Sequence, residues 1–269
     1  MPLKEFLYNL SLLELGLFCG LFTLFLTGFG ALGILFFRNI RLHFFSLSLG
    51  FAGGVMIAAS FWSLLDPALE LSESIYSLPF LPIAIGFSLG ILLLRILDLI
   101  IPHLHLTSSP QEQEGMKIPL KKGLLFFLAV TLHNIPEGLA VGVSISGGIE
   151  KFEYLGRSLN LVLGIGIQNI PEGLALALAL RQIGFTPLKS FFLSFSSAVV
   201  EPLFSVIGVL TIYLSHILLP YAMSLAAGAM IFVTIEELLP EAQKYGNSDL
   251  ASLGFGGGFL LMMILDTYF

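Results

Sequence analysis

The stretch TLHNIPEGLAVGV, residues 131–143, returns 35 positions later as GIQNIPEGLALAL, residues 166–178. Each copy sets a polar side chain, an asparagine, a proline and a glutamate inside an otherwise apolar run. Runs of this kind belong in a bilayer, where about 20 apolar residues make one crossing. The polar residues inside them then need a reason. An ionisable group at mid-membrane costs at least about 2.5 kcal/mol and commonly marks an ion or proton pathway.

Outward from the motif, the 269-residue chain is 56% hydrophobic and 11% charged, with a mean hydropathy of +0.95. That balance excludes an ordinary soluble domain, in which about a quarter of residues are charged. An all-α polytopic membrane protein is predicted instead. Apolar runs bounded by charge or by Pro and Gly predict eight transmembrane helices, near 10–37, 45–66, 79–101, 123–146, 156–180, 186–213, 217–239 and 249–269. They leave no room for a separate soluble domain, so 1–269 reads as one transmembrane domain. The one sizeable loop, 102–122, is polar and proline-bearing.

Loops after the first, third, fifth and seventh runs hold Arg38, Arg41, Lys117, Lys121, Lys122, Arg181, Lys189 and Lys244, eight basic residues, against Lys4, Lys151 and Arg157 on the other side. Eight against three places the odd loops, 102–122 included, in the cytoplasm and both termini outside. The N-terminal MPLKEFLYNLSLLELGLF has one lysine and carries Glu14 inside its apolar part, so it reads as a retained first span and not as a signal peptide. A net charge of −6 excludes nucleic acid as a partner and leaves the lipid bilayer. Cys19 is the sole cysteine, which excludes an intramolecular disulfide and a multi-cysteine metal site.

His133 and Glu137 are four residues apart, as are Gln168 and Glu172, so each pair stacks on one helix face, with Asn134 and Asn169 offset by one. Pro136 and Pro171 lack the amide hydrogen that would reach the carbonyls of Leu132 and Ile167. In hydrocarbon, such free carbonyls are tolerated only against protein or a wet cavity. Gly138 and Gly173 let a neighbouring helix approach. Imidazole with carboxylates suits zinc and other borderline divalent cations. The bland alternative is interhelical hydrogen bonding, which fits a single polar residue better than it fits two copies of NIPEG.

Further candidates each have an ordinary reading. Glu201 precedes a proline inside an apolar run, and could equally be a protonated, hydrogen-bonded carboxyl. Glu236 and Glu237 lie near the end of the seventh run, where interfacial solvation would explain them. Met56 and Ser60 share a face of the second helix, and taken alone Met56 reads as core. Asp66, four residues before Glu70, forms an acidic mouth or a solvated helix end. His103 and His105 could capture metal or simply be solvated loop.

HNIPEG and QNIPEG resemble the paired signatures of the ZIP family of divalent-metal transporters. GFAGGVMIAASFWSLLDPALE, the EP of the sixth run and AAGAMIFVTIEELLPE are similar to the prokaryotic GufA-type branch of that family. The resemblance covers essentially the whole chain. It implies a principal metal site of His133, Glu137, Gln168 and Glu172 with Met56. It also implies an adjacent site of Asn134, Asn169 and Glu201 that shares Glu137 and Glu172, and alternating access on an inverted-repeat architecture. Zinc would be the substrate, with cadmium, iron, manganese or cobalt as others, imported across a prokaryotic inner membrane with no catalytic cofactor. Three positions depart from the pattern. Gln168 stands where many members have histidine, Asn169 where this branch commonly has aspartate, and Glu236-Glu237 where it often has His-Glu. The second metal is therefore less strongly liganded, and the all-carboxylate exit-side pair is harder and less zinc-selective.

Metal arriving among Glu137, Glu172 and Glu201 should displace protons, which makes uptake pH-dependent. Two other functions stay open on the residues: an intramembrane metalloenzyme, against which no H-E-x-x-H pair is found, and a membrane sensor that binds metal without moving it. The glycine-rich GFGGGF near the C-terminus is compatible with a homodimer.

Overall fold

The computed structural model of the protein describes residues 7, 9–36, 42–104, 113–117, 121–147, 152–244 and 248–268. Among the described residues there is no sheet, and the one β-type contact pairs the backbones of His103 and Glu114. Eight helices are long and apolar enough to cross a membrane: α1 Leu12–Phe36, α2 His43–Ile75, α3 Phe80–Ile100, α4 Lys122–Gly147, α5 Leu155–Gln182, α6 Pro187–Thr211, α7 His216–Lys244 and α8 Ser248–Tyr268. All eight expected crossings are present. α2 and α7 overrun their expected ends for a shared reason. Each contains a π-helical segment, Ser60–Leu65 in α2 and Thr234–Leu238 in α7, and then continues into turns whose charged residues interrupt the apolar pattern.

The helices pack as two copies of one arrangement. α2 lies along α8 as α7 lies along α3, α1 along α5 as α6 along α4, and α2 against α5 as α7 against α4. Exchanging α1 with α6, α2 with α7, α3 with α8 and α4 with α5 leaves this pattern unchanged. Each exchange pairs an odd helix with an even one, so the copies run in opposite directions, as in inverted-repeat transporters. A sequence echo follows: Met56-Ile57 with Ser60 and Leu64-Leu65 match Met230-Ile231 with Thr234 and Leu238-Leu239. In both copies the hydroxyl donates to the methionine carbonyl one turn back, at 2.8 Å, and the π-helical segment begins there. Bonding of this type loosens and bends a helix.

Glycines mark out two bundles, one of α1, α4, α5 and α6 and one of α2, α3, α7 and α8. Within each bundle, backbones touch where a side chain would collide: Gly54 on Phe255 and Gly90 on Leu225 in one, Gly138 on Glu201 and Gly173 on Thr27 in the other. Between the bundles the glycines meet side chains instead, Gly147 against the thioether of Met223 and Gly164 against that of Met262. Thioether contacts are soft and adaptable, so these two contacts across the seam are more yielding than a backbone-on-backbone fit.

Candidate metal centre

Local chemistry explains why the NIPEG residues meet. Pro136 and Pro171 lie inside continuous helices. Gly138 seats α4 directly on the backbone of Glu201, and Gly173 seats α5 on the carbonyl of Thr27. α6 is interrupted at Ala198 and Val199, which puts Glu201 in the first turn of its second half. There the backbone dipole favours a negative charge.

Around this junction Glu137, Gln168, Asn169 and Glu201 are all buried, as are Asn134 and Glu172. The Gln168 side-chain amide donates to Glu137 Oε1 at 2.9 Å. Asn169 Nδ2 donates to both carboxylate oxygens of Glu201, at 3.1 and 3.0 Å, and the Thr27 hydroxyl adds a bond at 3.3 Å. The remaining polar atoms are the informative ones. Glu137 Oε2, Glu172 Oε1, Gln168 Oε1 and Asn169 Oδ1 are buried without a hydrogen-bond partner among the described residues. A buried acceptor left unpaired carries a penalty of about 1–3 kcal/mol. Four on adjacent motif residues make a donor set suited to a hard or borderline cation.

His133 places Nδ1 2.9 Å from the carbonyl of Ala129, so that nitrogen donates and Nε2 is the one left for other partners. Nε2 faces Glu237 Oε2 at 3.4 Å. A proton or a cation shared between these two atoms would satisfy both. His133, Glu172, Glu237 and Glu241 line a cavity of about 50 Å³ that runs toward the C-terminal end of α7.

The other sequence candidates fall in three places. Met56 is fully buried, its sulfur accepting from the Thr234 hydroxyl at 3.5 Å, and Ser60 bonds its own helix. Within the π-helical segment of α7, Glu237 turns inward while Glu236 is exposed. Asp66 lies half exposed beside Arg157, at 3.6 Å, away from the motif. His103 is buried with Nε2 3.1 Å from Asp98 Oδ1, and Asp98, His103 and Glu237 could together hold a metal ion. His105 lies outside the described residues.

Sequence reasoning missed Asp98 and Glu241. Asp98 sits three residues after Arg95, to which it is paired at 2.6 Å, so it resembles an interfacial ion pair. Glu241 is one turn beyond Glu237, a spacing that could have drawn attention to it.

Residues 105–266 match the family described as "ZIP Zinc transporter". The chain is 36% identical to human zinc transporter ZIP11, over 91% of this chain and 94% of that protein. It is 38% identical to the zinc transporter GufA of Myxococcus xanthus, over 89% and 93%. With the zinc transporter ZIPB of Bordetella bronchiseptica it shares 39% identity, over 90% of this chain and 77% of that one.

Proposed function

This chain belongs to the ZIP zinc transporter family, and from that premise we propose that it imports zinc into the cytoplasm through a binuclear site between α4 and α5. It is an integral plasma-membrane protein that transports a divalent metal. The proposed principal site uses His133, Glu137, Gln168 and Glu172, with Met56 as a soft ligand from α2. The adjacent site uses Asn134, Asn169 and Glu201 and shares the two motif glutamates. The observation that carries this reading is the group of unpartnered buried oxygens on Glu137, Glu172, Gln168 and Asn169.

Access would alternate as the bundle of α1, α4, α5 and α6 slides along the Met223 and Met262 seam. In the orientation set by the basic loops, the cavity of His133, Glu172, Glu237 and Glu241 faces the cytoplasm. Asp98, His103 and Glu237 form a release station on the same path. Iron, manganese and cobalt fit the same oxygen-rich set as hard or borderline cations do, and the softer cadmium would lean on His133 and Met56. A metalloenzyme would need a general base apart from the ligands, whereas Glu137, Glu172 and Glu201 all serve as ligands in this reading, so the protein is read as a carrier and not an enzyme.

The test is zinc-65 and cadmium-109 uptake into proteoliposomes by the unaltered protein and by the Glu137→Ala and Glu172→Ala variants, each checked for folding. Flux in the parent that is lost in both variants supports transport through the doubled motif. Metal binding without flux in the parent would move the reading to a sensor.

A further inference from the structure

Arg157, in the first turn of α5, reaches across to α2. Its Nη1 lies 3.6 Å from Asp66 and 3.5 Å from Glu70, two carboxylates one turn apart. α5 and α2 belong to different bundles, so these ion pairs cross the seam described above. A second bond crosses beside them, from Asn160 Nδ2 in α5 to the Leu265 carbonyl in α8 at 2.6 Å. Asp266, which accepts from Ser63 at 2.7 Å and feels the Arg157 charge, adds a third carboxylate on the α2 and α8 side.

Next to the guanidinium, the space lined by Ser63, Ser144, Arg157 and Ser158 is only about 10 Å³, no more than about one water can fill. At the other end of the seam, the His133 and Glu237 side opens into the larger cavity. The ion pairs therefore sit at the end of the seam with the smaller space.

We infer that Arg157 is a positioning residue that latches this end of the passage: paired with Asp66 and Glu70 it holds the end shut, and it releases them when the end opens. The inference rests on the alternating-access reading of the preceding subsection. All three side chains are partly exposed, so the pairs hold weakly. Weak holding suits a carrier, since two conformers of nearly equal free energy are redistributed by a small bias and a strong clasp would trap one of them.

Side-chain accessibility distinguishes a latch from a static packing contact. In the full chain carrying Cys19→Ser, a reporter cysteine is placed by Ser144→Cys. Its reaction with a charged methanethiosulfonate is followed by mass shift in detergent, where the reagent reaches both ends. Arg157→Gln is expected to speed labelling by about fivefold or more, and the Asp66→Asn, Glu70→Gln double variant should do the same. Reversing the charges, with Arg157→Glu joined to Asp66→Arg and Glu70→Arg, should return labelling toward the parent rate. Labelling at the parent rate in both neutralised proteins overturns the latch, as does faster labelling that the reversed charges fail to slow. Zinc flux of the parent is measured separately, so that absence of flux sinks the transport reading while unchanged labelling sinks the latch.

Discussion

Gln168 on α5 donates its side-chain amide to Glu137 on α4 at 2.9 Å, tying one copy of the repeated motif to the other. The bond orients the glutamate and leaves Gln168 Oε1 as a buried, unpartnered acceptor. Groups that hold a metal ligand in place typically matter about 10- to 100-fold in affinity. Gln168→Leu, which removes the donor and the oxygen together, should raise the KM for zinc flux about tenfold. Gln168→His should restore affinity and favour zinc over manganese, because imidazole is the softer ligand. An unchanged KM in the leucine variant would take Gln168 out of the ligand set.

The centre should trade stability for function. Glu137, Glu172 and Glu201 are buried and interact with one another, and a buried carboxylate without a cation carries a desolvation cost that its neutral amide isostere avoids. Glu137→Gln is therefore expected to abolish zinc flux while leaving the metal-free protein as stable as the parent, or more so. Thermal unfolding in detergent with chelator checks this. A lower Tm would mean that Glu137 serves mainly to hold α4 against α5.

Release can be separated from binding. Asp98, His103 and Glu237 bring ligand atoms together beyond the central motif. Asp98→Asn combined with His103→Ala should slow flux about tenfold and lower bound zinc by one equivalent in equilibrium dialysis, with the central site still loaded. Equal stoichiometry in parent and variant would remove this station from the path.

Two glycines in neighbouring helices should respond in opposite ways. A methyl group at Gly54 would strike the Phe255 carbonyl of α8, whereas Gly256 has open space around it. Gly54→Ala should destabilise the α2 and α8 pair by about 1–3 kcal/mol, the usual range for overpacking. Gly256→Ala should be neutral or slightly stabilising, because alanine is the better helix former. Paired melting curves give both values.

Much of this architecture is legible in the sequence because hydrophobic length and charge placement act locally. The eight crossings follow from apolar runs, and the repeated NIPEG from its own spacing. Other features depend on contacts that no window of sequence contains. The kinship of Met56 and Ser60 with Met230 and Thr234 rests on few shared residues, and only the matched packing of α2 and α7 brings it out. Glu236 and Glu237 are indistinguishable in sequence, yet the wide turn of Thr234–Leu238 buries one and exposes the other. Asp98 looks like a surface charge until His103 folds against it.

The inverted repeat has a thermodynamic corollary at its matched positions. Where α7 carries Glu236 and Glu237, the corresponding positions of α2 are Trp62 and Ser63. At these matched positions the α7 copy carries two carboxylates and the α2 copy an indole and a hydroxyl, with Asp66, Glu70 and Asp266 nearby on the α2 side. Under the proposed alternating access, symmetry of the frame would make the two facing conformers near isoenergetic, since each half would adopt the other's shape. The unequal side chains at these positions would set how long a doubly charged ion dwells at each of the frame's two doors. Any preference for one direction would then reside in a few side chains, and exchanging them between the doors would redraw the energy profile along the passage without altering the machine that moves.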